Sequence, residues 1–539
     1  MERRIINSKL LTTGWFSLGF LVVGVIGSIL YSPKWHNQVF AWIGPFCLLY
    51  FFRLCKLKGK FLWFALATIF IYLASAYDVA PLPFTVLAVL GILSGIHTMI
   101  IFLVDRWLTN RTGHFLSTLF FPSACVFLEF LNIKIAGGSW WSLANTQYPF
   151  KWLIQLASIT GLAGISFLIY WFASIAVWSI KRIFNNQKWL AGLVIYMGVF
   201  FISLSFGAIR YYSTGSGDHQ YVKVAGISVS AFDLKQQLYK DYYGKAVIID
   251  PKTSVTSPLL QDINKAWFHF IESRDSIMFS NSFQIIQKTN DSLFILSQKA
   301  AELGARIVCW SEAGNIVFKD DEPALVERGK AIAIKNKIYL LMAIASIEPG
   351  KISPGKYFIE NKTVFIDPSG KILNIFYKNK PVPSIERSRP GDGNIPSIPT
   401  AYGNISPSIC YDADFPVEMR QLGNKKTALL LLPGRDWFAI SPYHTYMAVF
   451  RGIENGCSVM RQVSGGLSLA TDYRGRSYGS MENINKGMRL WSVDIPIEHI
   501  PTVYSKIGDA FILFCEAIVA ITIIYLLLHL IRGKINIKN

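Results

Sequence analysis

The chain has 539 residues, of which 52% are hydrophobic and only 16% charged, and its mean hydropathy is +0.35. About a quarter of the residues of a soluble globular protein are charged, so the composition excludes a wholly soluble protein. The net charge of +19 is not accompanied by a basic face or a base-stacking motif, because the basic residues lie in short clusters between apolar runs. We therefore expect a membrane protein that does not bind nucleic acid.

The apolar residues are concentrated in two parts of the chain, 10–208 and 507–531. A helix that crosses a bilayer needs about 20 apolar residues. Eight apolar segments are candidates: 11–31, 38–53, 60–77, 83–104, 114–133, 153–180, 188–208 and 508–531. The first segment is too long for a signal peptide and lacks a small-residue cleavage site, so we expect it to be retained.

The distribution of lysine and arginine predicts the orientation of these spans. Basic clusters precede the first span and follow the second, fourth, sixth and eighth, whereas the loops 32–37, 78–82 and 134–152 contain fewer basic residues. With eight spans every cluster lies on one face, which the positive-inside rule makes the cytoplasmic one. Both termini are then cytoplasmic, and the polar region lies outside.

Two carboxylates fall within predicted spans, Glu129 and Glu516. Each either reaches headgroup level from the outer end of its helix or faces the interior of the bundle, where an ionisable group often has a function. The sequence leaves both readings open.

Short apolar runs alternate with helical patterns from residue 221 onward. Strands are predicted at 222–228, 306–310, 338–346, 357–366, 372–377, 405–411, 428–432, 457–462, 468–471 and 490–494, and helices at 282–302, 322–335 and 446–455. The sequence Asp-Pro-Ser-Gly at 367–370 predicts a hairpin turn. The alternation predicts an α/β sandwich with its sheets inside and helices outside. The expected domains are a membrane bundle, 1–211, a globular domain, 212–505, and a last helix with a short tail, 506–539.

The seven cysteines form no CxxC pair and no zinc-binding spacing. A disulfide between Cys309 and Cys457 stays open, but the globular region has an odd number of cysteines and would keep one free thiol. His444 is isolated in the sequence, where we expect it to pack or to cap a helix. No metal site or cofactor is therefore expected.

Three fragments each place a functional group at the end of an apolar run. Glu312 ends 307–312, Lys378 lies in 376–383, and Cys410 lies in 405–412. Taken singly, Glu312 is expected to cap a helix, Lys378 to be solvated and Cys410 to be a small buried apolar side chain. Taken together, a base, a cation and a thiol at the ends of strands are what nucleophilic catalysis requires.

The order of these residues, in the contexts Trp-Ser-Glu, Tyr-Lys and Ile-Cys-Tyr-Asp, resembles that of the nitrilase superfamily. With a multi-span N-terminal part and one C-terminal helix, the chain closely resembles the apolipoprotein N-acyltransferase family over nearly its whole length. Further matching positions are Glu129, 161–166, Val382, Pro383, Glu386, Trp437, Phe438, Arg451, Glu454 and 472–476.

The chain also departs from the family pattern. It has Lys380-Pro381 in place of His-Leu, Asp412 in place of Glu, Gly434-Arg435 in place of Asn-Asp, Ala225-Gly226-Ile227 in place of Gln-Gly-Asn, and an additional segment around 241–285. The additional segment and the Trp437-Phe438 loop are candidates for a lipid-facing entrance or lid of the active site. The segment is equally consistent with a surface insertion that has no such role.

The resemblance implies an αββα sandwich on the periplasmic face of a bacterial inner membrane. It implies that Cys410 is the nucleophile, Glu312 the general base and Lys378 the oxyanion stabiliser. Residues expected to support them or to bind substrate are Glu386, Tyr411, Asp412, Trp437 and Phe438. Glu386 either positions Lys378 or a substrate amine, or forms a structural salt bridge.

The implied reaction transfers a fatty acyl chain from a phospholipid to the N-terminal amine of a diacylated lipoprotein, through a thioester. Two alternatives remain at this stage: a membrane-anchored carbon–nitrogen hydrolase acting on a small amide, and a degenerate scaffold that binds lipoproteins. The sequence predicts neither the acyl-chain preference nor the oligomeric state.

Overall fold

The computed structural model describes residues 14–135, 137–213, 220–230, 232–273, 277–349, 357–484 and 487–538. The chain divides into two compact units. The first comprises Met1–Ser213 with Ile507–Asn539, and the second comprises Thr214–Lys506.

The first unit consists of apolar helices. Its principal helices are Gly14–Leu30, Phe40–Leu54, Lys60–Ala76, Phe84–Thr112, Phe120–Ile135, Leu162–Phe184, Leu190–Tyr212 and Ala510–Lys538. In the described part of the chain, 5 helical segments are long and apolar enough to cross a membrane, and three shorter apolar helices precede them. The prediction of several apolar membrane helices is confirmed, while the count of eight spans stays a prediction.

Two of the helix boundaries differ from those expected. The predicted span 153–180 begins with the short turns Leu153–Leu156 and Ala157–Thr160, and the long helix starts only after Gly161. Gly161 has a φ of +62°, which interrupts a regular helix and favours glycine. The predicted span 83–104 continues to Thr112, where Gly113 ends the helix with a φ of +57°.

Glu129 is buried in the interior of the helical unit. Its carboxylate accepts hydrogen bonds from Ser166 Oγ at 2.8 Å, Tyr170 OH at 3.1 Å and the Leu143 N–H at 3.3 Å. Of the two readings of this residue, the structure therefore favours the one that faces the bundle interior. Glu516 is half-buried.

A second polar cluster joins three helices of the same unit. The Arg53 guanidinium donates to both carboxylate oxygens of Asp105, each at 2.7 Å, and to the Ser174 carbonyl at 3.1 Å. Lys60 is also buried and donates to the Cys55 carbonyl at 2.7 Å. Two members of the basic cluster after the second predicted span are therefore held internally.

We predict that Asp105→Asn destabilises the helical unit by about 3–5 kcal/mol, because it leaves the buried Arg53 charge uncompensated. Asp78→Asn is the matched control, since its 3.4 Å ion pair with Lys34 is partly exposed and contributes about 0–1 kcal/mol. The midpoint of thermal aggregation in detergent, at one scan rate, measures both changes. Equal midpoints for the two variants would contradict the prediction.

The second unit contains two β-sheets, whose strands are numbered in chain order. The first sheet comprises β1 Tyr221–Ser228, β2 Ile307–Trp310, β3 Asn315–Phe318, β4 Tyr339–Ile347, β5 Ile359–Ile366, β6 Ile372–Tyr377 and β13 Arg489–Pro496. The second comprises β7 Ile398–Thr400, β8 Gly403–Pro407, β9 Leu429–Arg435, β10 Ser458–Ser464, β11 Leu467–Thr471 and β12 Ser477–Glu482. Their orders are β13-β1-β2-β4-β5-β6, with β3 paired to β4, and β12-β11-β10-β9-β8-β7.

The two sheets pack face to face, and helices cover their outer faces. One core cluster joins side chains from both sheets, including Cys309, Leu341, Leu431 and Met460. The helices of this unit are Asp233–Tyr243, Pro258–Glu272, Ser280–Glu302, Glu322–Asn336, Pro416–Met419, Gln421–Asn424, Tyr443–Asn455 and Val503–Ile507. Separate clusters bury the outer face of each sheet, one of them around Trp310. The layers are therefore helix, sheet, sheet, helix, as predicted.

The segment 241–285 contains helices among its described residues, although only the start of the helix 282–302 was predicted within it. Its helix Pro258–Glu272 buries Phe270 against Phe279 and Phe318. Strands β3, β7 and β12 were also missed, because each has at most six residues and carries no clear alternation. The predicted 367–370 hairpin is present, with Gly370 at a φ of +85°, and Cys309 and Cys457 are both free thiols.

Candidate active site

Glu312 and Lys378 lie just beyond the ends of two strands of the first sheet. Glu312 follows β2 by two residues, and Lys378 follows β6 directly. Lys378 Nζ lies 2.7 Å from Glu312 Oε1 and 2.5 Å from Glu386 Oε1. Asn361, which the sequence did not single out, donates to Glu312 Oε1 at 2.8 Å. One buried ammonium therefore bridges two carboxylates.

Cys410 lies in a tight turn and not, as predicted, on a strand through 411. Strand β8 ends at Pro407, and Cys410 begins the 3-10 turn Cys410–Asp414. Its φ is +49°, a conformation that is uncommon for a residue with a side chain and is typical of functional sites. The turn places the thiol close enough to Glu312 and Lys378 for both charges to act on its pKa. The structure therefore brings the three predicted residues together.

Burial and the neighbouring charges determine the charge state of this cluster. Burial would raise the pKa of Glu312, but Lys378 and the hydrogen bonds hold it below its ordinary value. Burial would lower the pKa of Lys378, but Glu312 and Glu386 hold it well above its usual range. Burial raises the pKa of Cys410 well above its usual range, with a further contribution from Glu312 that Lys378 opposes. The resting site is therefore a thiol beside a carboxylate and an ammonium.

We predict that Glu312→Gln lowers the pKa of Cys410, because it removes a negative charge that disfavours the thiolate. The pH dependence of Cys410 alkylation by iodoacetamide, followed on its own peptide by mass spectrometry, measures this pKa. Glu327→Gln is the matched control, since Glu327 is exposed on another helix and pairs only with Lys330 among the described residues. An unchanged or higher pKa in Glu312→Gln would contradict the charge assignment.

The supporting residues predicted from the sequence occupy three different places. Glu386 contacts Lys378, as described, and burial raises the pKa of its carboxyl against the opposing effect of Lys378. Tyr411 follows Cys410 within the turn and is mostly buried. Asp412 accepts the N–H groups of Lys380 at 2.7 Å and Ile409 at 3.0 Å. Asp412 therefore links the turn that contains Cys410 to the loop that follows Lys378.

Trp437 and Phe438 lie in the loop that follows β9. Trp437 is half-buried, and 39% of Phe438 is exposed. Lys252, from the additional segment 241–285, places its Nζ 5.6 Å from the centre of the Phe438 ring. The additional segment therefore contacts the loop.

A second buried network, which the sequence analysis missed, lies against Cys410. His444 Nδ1 is 2.9 Å from Asp436 Oδ1, and its Nε2 is 3.0 Å from Asp414 Oδ1. Arg461 donates to Asp436 Oδ2 at 2.8 Å. Burial would lower the pKa of His444, but Asp414 and Asp436 raise it above its ordinary value. The expectation that His444 is isolated is wrong, because its partners come from distant parts of the sequence.

The Cys410 thiol and ligand atoms of Asp436 and His444 lie within 4.8 Å of one another, which is close enough for a shared metal ion. However, both Asp436 oxygens already accept hydrogen bonds from Arg461. Both ring nitrogens of His444 also face carboxylates. We therefore assign the cluster to hydrogen bonding. An arginine inside the apolar strand β10 was the one signal in the sequence that could have indicated it, since a buried charge needs a partner.

Family comparisons match both parts of the chain. Residues 23–175 match the apolipoprotein N-acyltransferase N-terminal domain, and residues 285–480 match the carbon-nitrogen hydrolase domain. The second match includes Glu312, Lys378 and Cys410. The nitrilase-type fold predicted for the C-terminal part is confirmed, as is the resemblance on which it was based.

Individual relatives extend over most of the chain. Apolipoprotein N-acyltransferase 1 of Treponema denticola is 21% identical, covering 96% of this chain and 98% of its own. The apolipoprotein N-acyltransferases of Geobacter metallireducens and Rickettsia prowazekii are 25% and 22% identical and cover 74% and 77% of this chain, with 72% and 77% of their own. An amidase from Nesterenkonia sp. is similar in structure, with 18% identity and a TM-score of 0.36, covering 56% of this chain and 98% of its own.

Proposed function

Because this chain belongs to the apolipoprotein N-acyltransferase family, we propose that it transfers a fatty acyl chain from a phospholipid to a lipoprotein. The acceptor is the α-amine of the diacylglyceryl-cysteine at the lipoprotein N-terminus. The observation that carries the proposal is that Cys410, Glu312 and Lys378 are all buried and act on one another's charge, with Lys378 Nζ 2.7 Å from Glu312 Oε1.

In the first half-reaction, Glu312 takes the proton of the Cys410 thiol while the sulfur attacks an ester carbonyl carbon of the phospholipid. A C–S bond forms, and the carbonyl oxygen becomes an oxyanion. An ammonium has three N–H donors. Two of those of Lys378 face Glu312 and Glu386, and we assign the third, with the Tyr411 backbone N–H, to the oxyanion. The C–O bond then breaks, Glu312 returns its proton to the leaving alkoxide, and a lysophospholipid departs.

In the second half-reaction, the neutral acceptor amine attacks the thioester carbonyl carbon. Glu312 accepts a proton from the amine, the C–S bond breaks, and the Cys410 thiolate takes up that proton as the amide product leaves. The enzyme returns to its resting state, so the kinetics are ping-pong.

The supporting residues take three roles in this scheme. Glu386 positions Lys378, Asp412 holds the cysteine turn, and Trp437 with Phe438 lines the entrance for the acyl chain. The hydrogen bonds and exposures of these side chains support the assignments.

Both substrates are anchored in lipid, so a catalytic domain on the same chain as membrane helices avoids a search through water. We propose that the helices form eight spans, with both termini in the cytoplasm of a bacterium. The domain 212–505, which follows the bundle 1–211 in the sequence and precedes the last helix, 506–539, then lies on the outer face of the inner membrane. The distribution of basic residues between apolar segments supports this orientation.

A pulse-chase experiment tests the reaction. The detergent-solubilised chain is incubated with a phospholipid that carries a radiolabelled acyl chain, and a diacylated lipopeptide with a free N-terminal amine is then added. The proposal expects label first on the chain, in a bond that neutral hydroxylamine cleaves, and then on the peptide amine.

An N-acetylated lipopeptide is the matched control and should leave the label on the chain. Release of the label as free fatty acid in place of transfer would favour the hydrolase alternative. Failure of the chain to take up any label, with retained binding of the lipopeptide, would favour the scaffold.

A further inference from the structure

The turn that begins with the nucleophile ends with a buried carboxylate that the mechanism does not use. The turn runs from Cys410 to Asp414, and the Asp414 side chain is almost fully buried. Asp414 Oδ1 lies 3.0 Å from His444 Nε2. Asp414 Oδ2 has no hydrogen-bond partner in the part of the chain that the structure describes. Among those residues, His444 is therefore the one hydrogen-bonding partner of this carboxylate.

This turn needs contacts that hold it, because Cys410 has a φ of +49°. A residue with a side chain in this region costs on the order of 1–3 kcal/mol and keeps its conformation only where the surrounding structure fixes it. Asp412 supplies such contacts in the middle of the turn, where it accepts the N–H groups of Lys380 and Ile409. The hydrogen bond between Asp414 and His444 supplies the corresponding contact at the end of the turn.

The other ring nitrogen of His444 faces a second segment that lies beside the sulfur. His444 Nδ1 is 2.9 Å from Asp436 Oδ1. Asp436 directly follows Arg435, whose carbonyl oxygen lies 4.0 Å from Cys410 Sγ. Arg461, from strand β10, donates to both oxygens of Asp436 and so fixes this carboxylate. One imidazole therefore joins the end of the nucleophile turn to the residues that follow β9.

The contact with Asp414 does not require a charged imidazole. An ionised carboxylate only accepts hydrogen bonds, so the proton between His444 and Asp414 is on Nε2. Nδ1 lies near Asp436 Oδ1 and 2.8 Å from Arg461 Nη2. An imidazolium donates from Nδ1 to Asp436, and a neutral ring accepts there from Arg461. Nε2–H faces Asp414 in both forms, so the turn stays attached when the ring loses a proton.

We propose that His444 is a positioning residue for the nucleophile: its Nε2–H holds Asp414, and thereby the turn that directs the Cys410 thiol. This inference rests on the proposed function and identifies a side chain that sets the geometry of its nucleophile. A reacting group that is misplaced by about 1 Å can lose about 10²-fold in rate. His444 therefore acts on the rate of attack by the sulfur, and not on binding of the donor.

Two amide variants test the two ends of the ring separately. The amide of glutamine reaches the position of Nε2 with an N–H donor, whereas that of asparagine reaches only the position of Nδ1. Acylation of Cys410 by a radiolabelled phospholipid is followed to completion at several donor concentrations. We expect His444→Asn to slow the maximal rate about 10- to 100-fold and His444→Gln to slow it less than about threefold. The final extent of labelling and the half-saturating donor concentration should match those of the unmodified chain.

Asp414→Ala removes the same contact from its other side and should slow acylation as His444→Asn does. The double variant should be no slower than either single variant, because residues that act through one shared contact are not additive. His499→Asn is the matched control and should leave the rate unchanged. His499 is a half-buried histidine of the same domain, and its Nδ1 lies 3.1 Å from the Thr427 carbonyl oxygen.

A lower final extent of labelling at an unchanged rate would overturn the inference, since His444 would then only maintain the fold. An unchanged rate in His444→Asn, or equal losses in His444→Asn and His444→Gln, would also overturn it. So would losses in Asp414→Ala and His444→Asn that multiply in the double variant. Failure of the proposed function has a different signature, because the unmodified chain would then take up no label from phospholipid.

Discussion

Replacing Cys410 with alanine is expected to abolish both the labelled acyl-enzyme and the transfer of label to the lipopeptide. The scheme has no other nucleophile, and removal of a nucleophile lowers turnover by at least about 10⁴-fold. The fold should persist, because alanine adopts the +49° φ of this position at about the same cost as cysteine. Label retention and peptide acylation, measured beside the unmodified chain, give the result.

Cys457→Ala is the control for this substitution. Cys457 is also a buried free thiol, but it belongs to the core between the second sheet and its helices. That variant should retain acylation and transfer. If Cys410→Ala kept full activity, or if both variants lost it equally, the thioester mechanism would be wrong.

Lys378→Met is expected to remove activity and to destabilise the catalytic domain together. Lys378 is fully buried and is the cation that bridges Glu312 and Glu386. Breaking a buried ion pair costs about 3–5 kcal/mol, since a charge is left uncompensated. Loss of the oxyanion donor lowers the acylation rate by about 10²–10³-fold. Thermal unfolding and the rate of acyl-enzyme formation measure the two effects separately.

The double variant Lys378→Met/Glu386→Gln separates stability from catalysis. Removing one of the two facing carboxylates relieves their repulsion, so part of the lost stability should return. The acylation rate should not return, because the ammonium is still absent. Recovery of acylation in the double variant would show that Lys378 has only a structural role.

Glu312 and Lys378 were predictable because each directly follows an apolar run, and such runs become buried strands. The position of Cys410 could not be predicted in the same way. The apolar run 405–411 suggested a longer strand. However, β8 ends at Pro407, and a turn in which Cys410 has a positive φ takes the place of the predicted last residues of that strand. The chemistry was visible in the residue types, whereas the geometry of the nucleophile depends on the fold around it.

The network of Asp414, Asp436, His444 and Arg461 was not predictable from any local pattern. Its members lie on four separate segments, a turn, a loop, a helix and a strand, and only burial brings them together. The same holds for Arg53 and Asp105, which are 52 residues apart. Apolar periodicity predicts which elements form, but it does not predict which buried charges will meet.

The burial of Cys410, of which only 4% is exposed, affects the lifetime of the acyl-enzyme intermediate. In an amidase, water hydrolyses the acylated cysteine. A transferase has to keep the acyl group on the cysteine until a membrane-bound acceptor arrives. A nucleophile that is buried away from bulk water slows hydrolysis of its thioester, so the acyl group stays on the enzyme until it is transferred. The acylated form should therefore persist long enough to be isolated, and the supply of acceptor should set the pace of turnover.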